Sequence, residues 1–263
     1  MERAMPQARK PAIAVIDLGD FANTEHSVAT ERFAMRKVAG HSLISRIARR
    51  LSECVHVQRV FIAGADIPAN IMEIGLAGVD LLNLPSSHVF ERLCEAADSS
   101  DAGWVVYVPG NRPFIDPTLT DQMLAKAIGA NNCDYVGYRK TESSNGSMDQ
   151  LGLTGEAICA DTLRRLRRNI NRLNKAQNCL QLATGTLATW LLCAPGAYHL
   201  KFIPLPDLLD QSELRFAIET EADWDHAELL WNTVPGSDFQ WQDLMQLVLS
   251  NSRIQKSMID RNT

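Results

Sequence analysis

Trp104-Val105-Val106-Tyr107-Val108-Pro109-Gly110-Asn111-Arg112-Pro113-Phe114-Ile115-Asp116-Pro117-Thr118 is the stretch whose reading decides the fold. Residues 104–108 are apolar and mostly β-branched or aromatic, which reads as a buried strand. Pro109-Gly110 closes it. Pro117-Thr118 opens a helix to about Ala130, because proline is pre-set for the first helical turn. A loop between a strand's carboxyl end and a helix is where an open α/β sheet holds its ligands. The plainer account of the same residues is a strand-to-helix turn with Asp116 held by local backbone hydrogen bonds.

The pattern repeats outward from this stretch. Upstream, Ala12 to Ile16 reads as a strand ending at Asp17 and Gly19, and residues 19–40 read as a long polar loop. Ser42 to Cys54 has Leu43, Ile44, Ile47 and Leu51 at helical spacing. Arg59 to Gly64 reads as a strand, 67–76 as a helix and Val79 to Leu84 as a strand; Ser86 and Ser87 can cap a helix to about Ala97. Downstream, Asp134 to Tyr138 is the next strand. Short apolar strands alternating with helices predict an α/β fold: a Rossmann-like three-layer sandwich around a mainly parallel sheet. Its ligand loops would be Asp17 to Gly40, Gly110 to Pro117 and Arg139 to Leu153.

The second half is less regular. Arg164 to Lys175 and Gln181 to Cys193 read as helices, His199 to Leu205 and Arg215 to Glu219 as strands, and Thr220 to Trp231 and Gln240 to Ser250 as closing helices. The last dozen residues read as disordered. With no internal repeat and no low-complexity linker, a single domain over 1–263 is expected.

Composition sets limits. The chain has 263 residues, 46% of them hydrophobic, and a net charge of -5, which is ordinary globular character and does not point to nucleic acid as a partner. The six cysteines form no CxxC pair and have no histidine at metal-ligand spacing, so buried reduced thiols in a reducing compartment are expected. The six histidines form neither HxH nor HExxH. Trp224, Trp231 and Trp241 read as core anchors. Met1 to Pro11 lacks the apolar core of a signal peptide, and no apolar run is long enough to span a bilayer, so a cytoplasmic protein with no membrane partner is expected.

The loop Gly110-Asn111-Arg112-Pro113-Phe114-Ile115-Asp116-Pro117 resembles the Gly-Asp-x-Pro-Leu-Ile-Asp-Pro motif of the cytidylyltransferase-like family, which includes the spore coat polysaccharide biosynthesis protein F group and the acylneuraminate cytidylyltransferases. Further pieces follow in the family's order. Ala39 to Ile44 resembles Ala-Gly-Lys-Pro-Leu-Leu, Phe90 to Leu93 the segment with Val-Leu-x-Arg-Tyr, Gly152 to Ala157 Gly-Leu-Asp-x-Glu-Val, and Leu214 to Trp231 the segment that begins Leu-Arg-x-Thr-Val-Asp. The resemblance covers roughly Ala12 to Met258 on ordered weak matches. It implies a nucleotide-diphospho-sugar transferase type of fold, with a nucleotide-binding half at 12–140 and a sugar-binding, closing half at 141–250. It also implies a reaction, in which an acidic sugar attacks the α-phosphate of CTP and pyrophosphate leaves. Mg²⁺ held by aspartates would neutralise the phosphates. A homodimer is implied as well.

The departures fall on the chemistry. Asn111 stands where the family has its metal-binding aspartate, and Thr154 replaces the aspartate after Gly-Leu. Ala29 to Lys37 occupies the place of a glycine-rich phosphate loop yet has no glycine until Gly40, and Gln181 to Thr184 replaces Glu-His-Val-Thr. If the chain is active, the resemblance and the charges together nominate Arg32, Lys37 and Arg112 as catalytic cations. Asp17, Gly19, Arg36, Gly110, Asn111 and Asp116 would contact the nucleotide, and Thr154 and Glu156 the substrate. No intact metal site remains, so the alternative is an inactive relative that binds a nucleotide, a sugar or a protein.

Arg164 to Lys175 is the second feature. Leu163, Leu166, Ile170 and Leu173 share a helix face and the basic residues take the others. Such a face fits an anionic sugar, nucleic acid or a lipid headgroup. It fits equally a solvated helix face, which is what charge runs usually are, or a contact between subunits.

Overall fold

The computed structural model describes residues 10–20, 33–38, 40–65, 67, 71, 77–84, 89–141, 151–175, 187–192, 196–234, 236 and 238–262. The strands are β1 (Ala12–Asp20), β2 (Lys37–Val38), β3 (His41–Ser42), β4 (Val57–Ala65), β5 (Val79–Asn83), β6 (Trp104–Pro109), β7 (Tyr135–Arg139), β8 (Glu156–Cys159) and β9 (Leu200–Pro204). The helices are α1 (Leu43–Ser52), α2 (Val89–Ser100), α3 (Pro117–Ile128), α4 (Ala160–Lys175), α5 (Leu187–Leu192), α6 (Glu221–Thr233), α7 (Trp241–Ser250) and α8 (Ser252–Asn262).

A seven-stranded sheet runs in the order β5-β4-β1-β6-β8-β7-β9. β5, β4, β1 and β6 are mutually parallel, β8 is antiparallel to both neighbours, and β7 pairs in parallel with β9. The central strand shows why the sheet is covered on both faces. Ala12, Ala14, Ile16 and Leu18 of β1 pack into one core with α1, α3 and the C-terminal helices, while Ile13 and Val15 pack into the other with α2 and the first turns of α4. Period-two alternation with apolar residues on both sides is the mark of a buried central strand. This is the Rossmann-like α/β sandwich that the sequence predicts.

Helix starts follow local chemistry. Ser42 Oγ accepts from Ser45 N at 3.2 Å to cap α1. Asp116 caps α3 with Pro117 in its first turn, and Thr220 and Asp223 form a reciprocal capping box on α6.

Several expectations need correction. β1 runs on to Asp20, past the end at Asp17 and Gly19 that the sequence suggests. Arg215 to Glu219 is not a strand: Arg215, Phe216, Ala217 and Ile218 are all buried, and Ile218 N donates to Asn111 O at 2.9 Å, so the segment bonds to a loop instead of a ladder. The last dozen residues are not disordered as expected; α8 is pinned by buried Ile254 and Met258. β8 was not foreseen, because Glu156 to Cys159 is short and carries a charge. The helix expected over 67–76, the caps Ser86 and Ser87, and most of 181–193 lie outside the described residues, as do Cys179 and Cys193. Cys54 and Cys94 are free and buried, and Cys133 and Cys159 are free but only half-buried. Trp224 is buried as expected, while Trp231 and Trp241 are partly buried against the same core.

Candidate functional site

Strand order locates the site. β4 and β5 build outward from one side of β1, and β6 begins the build on the other, so the order reverses between β1 and β6. Loops leaving the carboxyl ends of two such strands diverge and open a crevice. Here the crevice is floored by Gly110 N donating to Asp17 O at 2.9 Å. Gly19, at φ +76° with open space where a side chain would start, lets β1 turn at this edge.

Two further contacts extend the rim. Asn111 O accepts from Ile218 N at 2.9 Å, which sets Glu219 beside the Asn111 loop. Glu221, two residues on, forms an ion pair with Arg36, whose guanidinium also lies 4.5 Å from the Trp224 ring centre. Phe33 stacks on Trp224 at 5.7 Å and holds the 33–38 segment against α6. A chain of direct contacts thus joins the end of β1, the 110–111 turn, the 218–221 segment and the segment bearing Arg36 and Lys37. Lys37 is exposed, Arg36 and Asn111 are half-buried, and Glu219 keeps 46% of its side chain in solvent.

Other nominated residues point into the protein. Asp116 is fully buried; its carboxylate accepts from Leu119 N (2.9 Å), Thr118 Oγ1 (2.5 Å) and Trp241 N (2.8 Å), with the Arg50 guanidinium at 3.6 Å. It is a cap that anchors the loop, which corrects its assignment to the nucleotide. Asp17 is engaged in a two-pronged buried pair with Arg92, at 2.6 and 3.0 Å, so its carboxylate holds α2 against the crevice floor. Arg112 is buried and donates to Thr154 O, and Thr154 is itself buried, so neither presents its side chain to solvent. Glu156 accepts from Tyr135 Oη at 2.6 Å and from Leu187 N and Ala188 N at 3.0 and 3.3 Å. Burial pushes the Glu156 carboxyl above its ordinary value, and the Tyr135 bond, the two amides and Arg112 pull against that. Arg32 lies outside the described residues.

Glycines make this packing feasible. A Cβ on Gly152, at φ +68°, would sit 2.5 Å from Ala217 N, and one on Gly155 would sit 2.8 Å from Tyr107 O. The 151–155 segment therefore lies flat between β6 and the 216–217 backbone.

No protein-family model matches the chain, and no curated protein matches it. Solved structures do. A cytidylyltransferase from Leptospira borgpetersenii superposes with a TM-score of 0.72 at 16% identity, over 93% of this chain and 96% of that one. The fold is that of the nucleotidyltransferases. A CMP:2-keto-3-deoxy-manno-octonic acid synthetase complexed with CTP matches at 0.57 and 13% identity, over 84% of this chain and 98% of that one. A Mycobacterium tuberculosis protein in complex with manganese matches at 0.54 and 11%, also over 84% and 98%. At such identities the likeness establishes the fold, and chemistry has to be argued from the residues.

The residues fit a tightly held divalent ion poorly. Among the described residues no group of three or more His, Cys, Asp or Glu side chains could hold a metal. Asn111 offers one neutral oxygen, Asp17 and Asp116 are committed to arginines and amides, and Glu219 is bonded to Arg215 at 2.7 Å. Glu219 was missed by sequence reasoning, although it falls on the aspartate of the Leu-Arg-x-Thr-Val-Asp segment. Arg92 and Arg50 were missed because a buried arginine reads in sequence like any surface one. Among the described residues no helix is long and apolar enough to cross a membrane.

Proposed function

We propose that the chain binds a CTP-like nucleotide in the β1/β6 crevice, as a divergent cytidylyltransferase-like protein whose ancestral reaction moves CMP from CTP to an acidic sugar for surface polysaccharide synthesis. The observation that carries this is the contact chain Asp17–Gly110, Asn111–Ile218 and Glu221–Arg36, which gathers the strand ends and the Arg36-Lys37 segment around one crevice. Arg36 and Lys37 would meet phosphate oxygens, backbone at Gly19 and Gly110 would line the floor, and Glu219 would stand across from them. The sugar would enter from the 141–250 half. The fold neighbours that bind CTP and manganese support a nucleotide and a divalent ion as ligands.

A second reading is a protein of the same fold that binds without turnover. Asn111 and Thr154, which stand where the resemblance has its metal-binding aspartates, favour it, and the carboxylates of Asp17 and Asp116 are already committed to buried ion pairs and so do not replace them. Thermal unfolding with CTP, UTP, GTP, ATP and CMP-sugars, each with and without Mg²⁺ or Mn²⁺, separates the two. A ligand at about one hundred times its dissociation constant stabilises by about 2.7 kcal/mol. A metal-dependent shift with one triphosphate supports the transferase; a metal-independent shift supports the binding protein. If no nucleotide shifts the transition, both readings fall.

A further inference from the structure

Three acids around the start of α6 meet different cations. Glu219 and Asp223 share Arg215, whose Nε and Nη2 donate to Asp223 at 2.9 and 3.1 Å and whose Nη2 donates to Glu219 at 2.7 Å. Arg215 keeps only 9% of its side chain in solvent, and its partner Asp223 belongs to the capping box of α6, so this cluster serves the fold. Glu221 lies between the two acids and pairs instead with Arg36 of the 33–38 segment. That pair is open to water, with 38% of the Arg36 side chain and 44% of the Glu221 side chain exposed.

Arg36 has other anchors besides Glu221. Its N donates to Phe33 O and its O accepts from Leu43 N, both at 3.0 Å. Its guanidinium lies 4.5 Å from the Trp224 ring centre and 6.0 Å from that of Phe33, and the two rings stack on each other. Aromatic rings hold a guanidinium by its face, which leaves the N–H edges for oxyanions. Glu221 takes one of those edges, where its carboxylate occupies the seat of a phosphate oxygen. Glu221 also stands in the first turn of α6, whose positive end favours a carboxylate with or without Arg36.

We infer that Glu221 is a built-in competitor for the phosphates of the nucleotide, an inference that rests on the reading of the crevice as a nucleotide site. In the free chain Glu221 neutralises Arg36. On binding, a phosphate oxygen takes the guanidinium edge and Glu221 turns to solvent, still favoured by the helix end. An exposed ion pair is weakly held, whereas a phosphate brings more charge and can bridge two N–H groups, so the exchange runs toward the ligand. Glu221 thereby sets how much negative charge a ligand must bring to claim Arg36.

Calorimetric titration of the full chain with CTP and with pyrophosphate, each in EDTA and with Mn²⁺, tests it. Glu221→Gln binds about two- to fivefold more tightly than the wild-type chain, the range that an exposed ion pair is worth. Adding Arg36→Gln to that variant erases the gain, because the seat itself is gone. Asp225→Asn removes the same charge one turn along α6, at an exposed position that pairs with no cation among the described residues, and leaves binding unchanged. Unchanged circular dichroism confirms that each variant folds. If the wild-type chain binds and Glu221→Gln binds no more tightly, or if Asp225→Asn gives an equal gain, the inference is overturned while the crevice reading stands. If neither the wild-type chain nor Glu221→Gln binds either ligand, the crevice reading falls and the inference falls with it.

Discussion

Arg50 and Asp116 are among the most buried charges in the molecule, at 2% and 0% exposure, and they decide where the Asn111 loop sits. Arg50 Nε donates to Ile115 O at 2.5 Å, Nη1 donates to Phe239 O at 3.1 Å, and the guanidinium lies 4.2 Å from the Phe239 ring centre. Burial pushes the guanidinium below its ordinary value, and Asp116 opposes that. Removing one partner leaves an uncompensated buried charge, so Arg50→Met should cost about 3–5 kcal/mol in urea unfolding. A loss within experimental error would show that the pair is dispensable. Asp223 makes a second case. Burial pushes its carboxyl up, but bonds from Arg215, Glu219 N and Thr220 outweigh burial and hold it below the usual range. A folded value below the unfolded one means stability that is present above about pH 4 and lost as pH falls through the folded value. The stability gap between the wild-type chain and Asp223→Asn should therefore narrow on acidification below about pH 4. A gap that stays constant down to acid unfolding would contradict this.

Segment 151–155 shows the same logic for an element. It has almost no regular structure, yet Leu151 and Leu153 are buried and Asp116 N donates to Leu153 O at 2.9 Å. Its position depends on Gly152, whose backbone is left-handed and whose missing Cβ leaves room for the Ala217 amide. Gly19 is left-handed as well but faces open space. Gly19→Ala should thus cost only conformational strain, about 1–2 kcal/mol. Gly152→Ala should cost clearly more, because a backbone neighbour cannot rotate away. Melting temperatures of the two variants check the ranking, and equal losses would mean that the 216–217 backbone yields. Gly152 and Gly155 were visible in sequence as parts of a motif, but not as packing requirements: nothing local says that residue 217 lies against residue 152.

At the scale of the whole molecule, the β1/β6 crevice sets Asn111 and Glu219 on one rim. Thr154 is buried beneath that rim, so a carboxylate restored there would be buried too. Asn111→Asp alone should therefore be the productive change: it places a second carboxylate near Glu219, and Mn²⁺ should then enlarge the CTP-induced rise in melting temperature beyond that of the wild-type chain. The same rise with and without Mn²⁺ in the variant would mean that residues 111 and 219 do not share a ligand.

What the sequence determined by itself was the alternation. Runs such as Ala12–Ile16 and Trp104–Val108 are apolar on both faces and have no stable place except inside a covered sheet, while Pro117 and Ser42 mark helix starts through chemistry confined to a few residues. The α/β class, the buried cores of β1 and β6 and the loop at 110–117 were legible for that reason, while the end of β1 and the whole of β8 were not. Partnerships across long stretches of chain were settled only in three dimensions. Asp17 with Arg92, Arg50 with Asp116 and Asn111 with Ile218 are separated by 75, 66 and 107 residues (92 − 17, 116 − 50 and 218 − 111), and no local spacing encodes them. The tertiary structure alone therefore decided which carboxylates serve the fold and which face the crevice, because a carboxylate's role depends on whether burial has already given it a cation.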